Sequence, residues 1–273
     1  MFQDILADIF LSFNKAWVVM PLIGIGYWAY RRDLFSDVLF LVLLSMIVNA
    51  FLKCLFQVPL KPHLNQHGWY AFPSGHMQLS TVLYGRLWWE FRKTKWAQGF
   101  LVLLIGIGWG MMWKNYHDLM DVVAGAVAGA GLLVGYGVFV SWPPIHRQPE
   151  KIGFFLLPGT LGLIFFMPSI PQHLAHVWGA QGGILGFSLG ATLLHLISRK
   201  TATLASRKQM VIKVTLGIGG LVALSFGSKA LFAVLSYPWA PFLEFFMYGL
   251  WMAAGPEGII KTFSSERGGK KRA

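Results

Sequence analysis

Residues 34–56 read LFSDVLFLVLLSMIVNAFLKCLF, and this run decides the fold class. Only Asp37 and Lys53 interrupt an otherwise apolar stretch. A helix needs about 20 mainly apolar residues to cross a bilayer, because its backbone polar groups must be satisfied internally there. The run is therefore predicted to be a transmembrane helix.

Similar apolar runs recur along the whole chain. The composition is 55% hydrophobic and only 12% charged, whereas soluble domains average about 25% charged residues. We therefore predict an all-α integral membrane protein, a polytopic bundle of about nine transmembrane helices. The predicted spans are 16–30, 34–56, 76–91, 96–113, 118–141, 152–169, 177–197, 210–235 and 239–261.

The N-terminal residues 1–15 have a different pattern. Apolar residues recur at helical spacing, with Asp4 and Asp8 on the other side. This pattern predicts an amphipathic helix at the membrane interface. An extramembrane helix packed on the bundle is the alternative. The two aspartates stand where a signal peptide would have basic residues, so we expect no cleavable signal.

A Trp-Pro-Pro-Ile break at residues 142–145 divides the rest of the chain. Residues 16–141 form the first predicted block, which holds the motifs described below. Residues 142–273 form a second block of further transmembrane helices with a basic tail. This second block suits a lipid-binding wall or an oligomer interface, so a homo-oligomer is one open alternative.

The formal net charge of +12 is explained by membrane topology. No basic stripe alternates with aromatic residues, so no nucleic-acid partner is expected. The cations fall in alternate loops, and cationic loops remain in the cytoplasm. We therefore predict a cytoplasmic C-terminus, an outside N-terminus and a plasma-membrane location, the inner membrane in a Gram-negative source. The orienting cations are Arg31, Arg32, Arg92, Lys93, Lys95, Arg147, Lys151, Arg199, Lys200, Arg207, Lys208, Lys261, Arg267, Lys270, Lys271 and Arg272.

Two polar clusters lie at the ends of apolar runs, on the predicted outer face. One is Phe72–His76 (FPSGH), and the other runs from His117 to Asp121 (HDLMD). Ionisable groups beside the bilayer are costly to desolvate, so they are functional candidates by default. Two histidines and a carboxylate suit phosphoryl transfer, in which one histidine attacks phosphorus and the other protonates the leaving oxygen.

These clusters resemble the type-2 phosphatidic acid phosphatase superfamily, over about residues 34–140. That superfamily includes membrane lipid phosphatases and glucose-6-phosphatase, and soluble vanadium haloperoxidases share its site. Its signature is K-x6-R-P, then P-S-G-H, then S-R-x5-H-x3-D. The second part matches completely. The histidine and aspartate of the third match His117 and Asp121, and the usual D-x2-A-G continuation is present at 121–125.

The chain departs from the signature at both arginines. The first part of the signature corresponds to Lys53–Pro62, where Lys61 stands in place of the arginine. This segment is one residue longer than K-x6-R-P. Gly110 and Met111 occupy the serine and arginine positions of the third part. A bidentate phosphate donor is thereby lost, and lysine does not reproduce the arginine fork.

The resemblance implies a role for each matching residue. His117 would be the nucleophile and form a phosphohistidine, and Asp121 would orient its ring. His76 would be the general acid for the leaving group, and would then help to activate water. The hydroxyl of Ser74 and the backbone N–H of Gly75 would bind phosphate oxygens. The family is metal-free, so no metal or cofactor is expected.

Each residue also has an ordinary structural interpretation. Ser74 suits the N-cap of a helix, and the His117–Asp121 pair suits a hydrogen bond on a helix surface. Lys53 suits a lysine that extends from a membrane end to the interface. If the helix before His117 continued, Lys114 would share a face with it and replace the missing charge. The expected phosphate-binding cations are therefore Lys53, Lys61 and Lys114.

The leading hypothesis is a metal-independent lipid phosphatase in the membrane. It would hydrolyse a lipid phosphomonoester or pyrophosphate at the outer leaflet, so its partners would be the membrane and a lipid phosphate. One alternative is a phosphotransferase that uses the same phosphohistidine. Another is a non-catalytic lipid-binding relative, which the missing arginines would suit.

Overall fold

Residues 1–64, 69–146, 148–167, 171–198, 207–234 and 239–269 are described by a computed structural model. Within these ranges the chain is all-α, with ten α-helices and no β-strand. The prediction of an all-α fold is thereby confirmed. The helices are α1 (Phe2–Ser12), α2 (Ala16–Ile25), α3 (Arg32–Phe56), α4 (Gly75–Phe91), α5 (Trp96–Trp113), α6 (Leu119–Ser141), α7 (Pro149–Phe165), α8 (Pro171–Ser198), α9 (Arg207–Val234) and α10 (Ala240–Gly269).

Five helices in the described ranges are long and apolar enough to cross a membrane, namely α3, α5, α6, most of α8 and most of α9. The number becomes six if α1 and the segment Ala16–Tyr30 form one bent span. The predicted number of nine is not confirmed. The predicted span 76–91 is α4, which has only 17 residues and contains Arg86 and Glu90. Lys151–Phe165 in α7 is likewise apolar but short.

The N-terminal helix packs against the bundle. α2 continues into a five-residue π-helix (Gly26–Tyr30), and α1 makes an angle of 44° with this combined segment. Phe10 covers Gly106 of α5, and the backbone at Ala7 lies beside Gly110. The outward side of α1 exposes Phe2 and Ile5, among other apolar residues. An interfacial position of α1 remains a prediction.

The core is centred on α3, which is two-thirds buried. Phe40 of α3 meets Phe187 of α8 edge to face, and this contact joins the two predicted blocks. Glycines at 182 and 186 allow α8 and α10 to approach closely, since a Cβ atom at either position would lie 2.1 Å from a backbone oxygen of α10.

Six of the cations that orient the bundle lie outside the described residues, namely Arg147, Arg199, Lys200, Lys270, Lys271 and Arg272. The topology therefore remains a prediction.

Candidate active site

The Pro-Ser-Gly-His motif forms the entry to α4. Ser74 is fully buried at the N-cap, where its Oγ accepts a hydrogen bond from the Met77 N–H at 3.4 Å. The same hydroxyl lies 3.4 Å from the sulfur of Met111. The interpretation of Ser74 as an N-cap is thereby confirmed. His76 follows on the first turn with an exposed side chain.

Gly75 is required by a close approach from α3. A Cβ atom at this position would lie 2.6 Å from Oδ1 of Asn49. The Asn49 amide donates to the Pro73 carbonyl at 3.2 Å and to Oε1 of Gln78 at 3.0 Å. Gln78 in turn donates to the Ser45 carbonyl at 3.2 Å. This buried polar chain holds the motif loop against α3.

Sequence reasoning missed Asn49 and Gln78. Both are polar, both lie inside predicted spans, and both are buried. A polar side chain within an apolar span is itself a signal, because it must find hydrogen-bond partners there. That signal could have marked both residues as supports of a neighbouring site.

The second motif lies at the turn between α5 and α6. α5 ends at Trp113, and Asn115 adopts a left-handed conformation with φ 56°, which asparagine tolerates well. His117 is 9% exposed, and its Nδ1 lies 3.2 Å from Oδ2 of Asp121. The same carboxylate oxygen accepts a hydrogen bond from the backbone N–H of Asp118 at 3.2 Å. With Nδ1 directed at the carboxylate, Nε2 is the ring nitrogen that would carry the lone pair.

The two motifs are in direct backbone contact. The Ser74 N–H donates to the Asp121 carbonyl at 3.0 Å. A Cβ atom at Gly125 would lie 2.5 Å from the Ser74 carbonyl, and one at Gly129 would lie 2.8 Å from the Gln78 carbonyl. Gly125 and Gly129 therefore allow α6 and α4 to approach closely.

Two of the three predicted lysines contact the loops that carry the histidines. Lys53 is buried, and its Nζ donates to the carbonyls of Tyr70 and Ala71, the latter at 3.2 Å. Lys61 contacts Oδ1 of Asp118 at 2.6 Å and Oδ1 of Asn115 at 2.6 Å. Lys61 is thus attached to the turn that carries the second histidine.

Lys114 is oriented differently. Its Nζ lies 3.0 Å from Oδ2 of Asp8 and 3.9 Å from Asp4, both on α1. The hydrogen bond to Asp8 raises the pKa of Lys114. Lys114 would share a helical face with His117 only if the helix continued, and this condition is not met, because α5 ends at Trp113.

The two positions where the family has serine and arginine are used for packing. Gly110 admits the backbone of α1, since a Cβ atom there would lie 3.3 Å from the Ala7 carbonyl. Met111 is 1% exposed beneath the Ser74 hydroxyl. An arginine at 111 would therefore require the space that Met111 now fills.

Burial lowers the pKa of His117 below its ordinary value. The hydrogen bond and negative charge of Asp121 oppose this shift, while the positive charges of Lys53 and Lys61 add to it. A buried imidazole between cations favours its neutral form. Neutral imidazole is the form that can attack phosphorus.

A ring contact joins the second block to the motif loop. His176 of α8 lies edge to face with Trp69, with ring centroids 5.0 Å apart. Trp69 immediately precedes the two residues whose carbonyls bind Lys53. No local pattern in the sequence predicts this contact, because His176 lies on a separate apolar helix.

Comparison with known protein families gives one match. The family model described as PAP2 superfamily matches residues 34–144. The match contains both histidine motifs and confirms the family resemblance that they predicted. No curated protein and no solved structure matches the chain significantly.

Proposed function

Because residues 34–144 match the family model of the type-2 phosphatidic acid phosphatase (PAP2) superfamily, we propose that the protein is a membrane lipid phosphatase. Its substrate would be a lipid phosphomonoester or pyrophosphate at the outer leaflet. The observation that supports this most is the His117–Asp121 pair, attached by a backbone hydrogen bond to the loop that carries His76.

The first step is transfer of the phosphoryl group to the protein. Nε2 of His117 attacks phosphorus, the bond from phosphorus to the leaving oxygen breaks, and His76 gives its proton to that oxygen. Asp121 keeps the proton on Nδ1 and stabilises the positive charge that develops on the ring. The product of this step is phosphohistidine and a free lipid alcohol, or a lipid monophosphate from a pyrophosphate.

The second step is hydrolysis of the phosphohistidine. His76, now neutral, takes a proton from water while the water oxygen attacks phosphorus and the phosphorus–nitrogen bond breaks. Inorganic phosphate leaves, and both histidines return to their starting states. The step requires no further co-reactant.

Phosphate oxygens would be held by backbone donors and by lysines. The N–H groups of Gly75 and His76 are in the first turn of α4, where helical N–H groups have no intrahelical acceptor. Lys61 and the more buried Lys53 supply positive charge beside His117. Lys114, which is paired with Asp8, is the weakest of the three proposed phosphate ligands.

The direct test is phosphate release by purified protein in detergent. The substrate panel would contain phosphatidic acid, phosphatidylglycerophosphate, polyprenyl pyrophosphate and lipid A. With a ³²P-labelled substrate, covalent label on the wild-type protein and none on the His117→Ala variant would support the phosphohistidine. Release of phosphate by His117→Ala at the wild-type rate would exclude it. Movement of label to a second lipid instead of water would favour the phosphotransferase alternative, whose chemistry uses the same residues.

A further inference from the structure

An apolar groove lies at the far end of α4 and α5 from the histidines. α4 has 17 residues and so carries the chain about 25 Å from the motif loop. The groove has a volume of about 700 Å³, within the range of about 300–1,000 Å³ typical of ligand pockets. Its lining residues are Tyr30, Phe91, Trp96, Gly99, Phe100 and Leu103.

The groove is lined by aromatic rings and is open at Gly99. The Phe91 ring lies 6.0 Å from that of Tyr30 and 6.0 Å from that of Phe100, so three elements contribute to one continuous surface. Trp96, Gly99 and Leu103 lie at helical spacing along one face of α5. A Cβ atom at Gly99 would have no neighbour within 4 Å, so this glycine keeps the groove open.

The mouth of the groove is strongly cationic. The turn that joins α4 to α5 contains Arg92, Lys93 and Lys95. Among the described residues, none of these three cations has a carboxylate within ion-pair distance, and the nearby Glu90 is bound by Arg31 and Arg86. In the described part of the chain, these three positive charges therefore have no carboxylate partner.

Exposed tryptophans mark the level of this turn in the membrane. Arg92 lies 4.3 Å above the ring of Trp89, and Lys95 lies 5.7 Å from that of Trp96. Both rings are more than half exposed. Tryptophan and cations together are characteristic of the headgroup region, so the groove would extend from that region into the acyl chains.

We infer that this groove binds one acyl chain of an anionic glycerophospholipid, whose phosphate group is held by Arg92, Lys93 and Lys95. The apolar lining matches the chain, and the unneutralised cations match the headgroup. A second copy of the protein is a poorer occupant, because it would bring the same three cations to the same place. This lipid site is separate from the proposed catalytic site and does not depend on its activity.

The test is lipid retention by the full-length protein in native mass spectrometry. Protein in detergent would be offered equal amounts of phosphatidylglycerol and phosphatidylcholine with identical chains. Each cation near an anionic lipid surface contributes about a fivefold factor, so we expect at least about tenfold preference for phosphatidylglycerol. Gly99→Trp should fill the groove, so the bound phosphatidylglycerol should be lost and with it the preference. Gly131→Trp is the matched control, because Gly131 on α6 is also open but lies outside the groove.

A second pair of variants tests the charges without changing the packing. Substitution of Arg92, Lys93 and Lys95 by Gln should bring the preference close to one, whereas Gln at the exposed Arg207 and Lys208 should leave it unchanged. Equal retention of both lipids by wild-type protein would overturn the inference. The inference would also be overturned if the lipid preference survived in Gly99→Trp, or if the wild-type protein were a dimer that Gly99→Trp dissociates.

Discussion

The backbone N–H of Ser74 donates a hydrogen bond to the carbonyl of Asp121 at 3.0 Å. This bond joins the N-cap of α4 to the first turn of α6, and each of those helix starts carries one of the two candidate catalytic histidines. Gly125 makes the approach sterically feasible, because any Cβ atom there would collide with the Ser74 carbonyl. These main-chain contacts therefore fix the backbone at His76 relative to the backbone at His117.

His117→Ala and His76→Ala are expected to reduce phosphate release by several orders of magnitude while the protein still elutes as a folded species. Asp121→Asn should cost up to about 10⁴-fold, the order seen when an orienting carboxylate is lost from a catalytic histidine. Initial rates on the most active lipid phosphate are the measurement. His146→Ala is the control, since His146 is exposed after α6. A similar loss in that variant would point to general destabilisation.

The acid limb of the pH profile should reflect His117. Burial lowers its pKa, so the neutral nucleophile should persist below the ordinary histidine value of about 6.5. Lys61→Met removes a cation that disfavours protonation, so the pKa should rise and the acid limb should move to higher pH. Asp121→Asn removes a group that favours protonation and should move it to lower pH. Profiles of kcat/KM for the three proteins measure these shifts, and displacement in the opposite directions would refute the assignment.

Lys61→Met should weaken competitive inhibition by vanadate or phosphate about tenfold or more. A hydrogen bond to a charged group is worth about 1.5–3 kcal/mol, which corresponds to about a 10- to 150-fold change in affinity. Lys114→Met is the matched comparison and should change inhibition far less, because Lys114 is paired with Asp8. If Lys114→Met has the larger effect, the cation assignment must be reversed. Lys53→Met is less informative, since it also removes donors to the Tyr70 and Ala71 carbonyls.

Gly125→Ala should destabilise the protein by about 1–3 kcal/mol, the usual cost of overpacking a tight core. The neighbour at 2.5 Å is a backbone carbonyl, which cannot rotate away. Gly131→Ala on the same helix meets open space and should be neutral or stabilising, since alanine favours helix by about 1 kcal/mol. Thermal unfolding in detergent compares the two variants. Equal melting temperatures would show that α4 and α6 are not in close contact at Gly125.

The predicted topology can be tested by cysteine labelling. His63 is exposed in the loop before the first motif, and Thr94 is exposed in the turn between α4 and α5. In a background that lacks the single native cysteine, Cys54, His63→Cys should react with an impermeant thiol reagent in intact cells or spheroplasts. Thr94→Cys should react only after lysis. The reverse pattern would place the histidine motifs in the cytoplasm.

Much of this architecture follows from local sequence. Apolar runs predicted where helices lie because a helix in a bilayer must satisfy its own backbone and present apolar side chains outward. The histidine motifs were also recognisable, since their chemistry depends on residue types at short spacing. His117 and Asp121 are four residues apart, and the turn that begins α6 brings the histidine ring to the carboxylate.

Only the tertiary structure decided which groups support those motifs. Lys114 lies close to His117 in sequence but pairs with α1, whereas Lys61 reaches the same turn from a distant loop. Asn49 and Gln78 hold the motif loop from within apolar helices. Ion pairs and buried hydrogen bonds join whichever elements meet in space, and the periodicity of a single helix carries no information about its partner. The sequence thus determined the helices and the reactive residues, and the packing of the helices determined the surroundings of those residues.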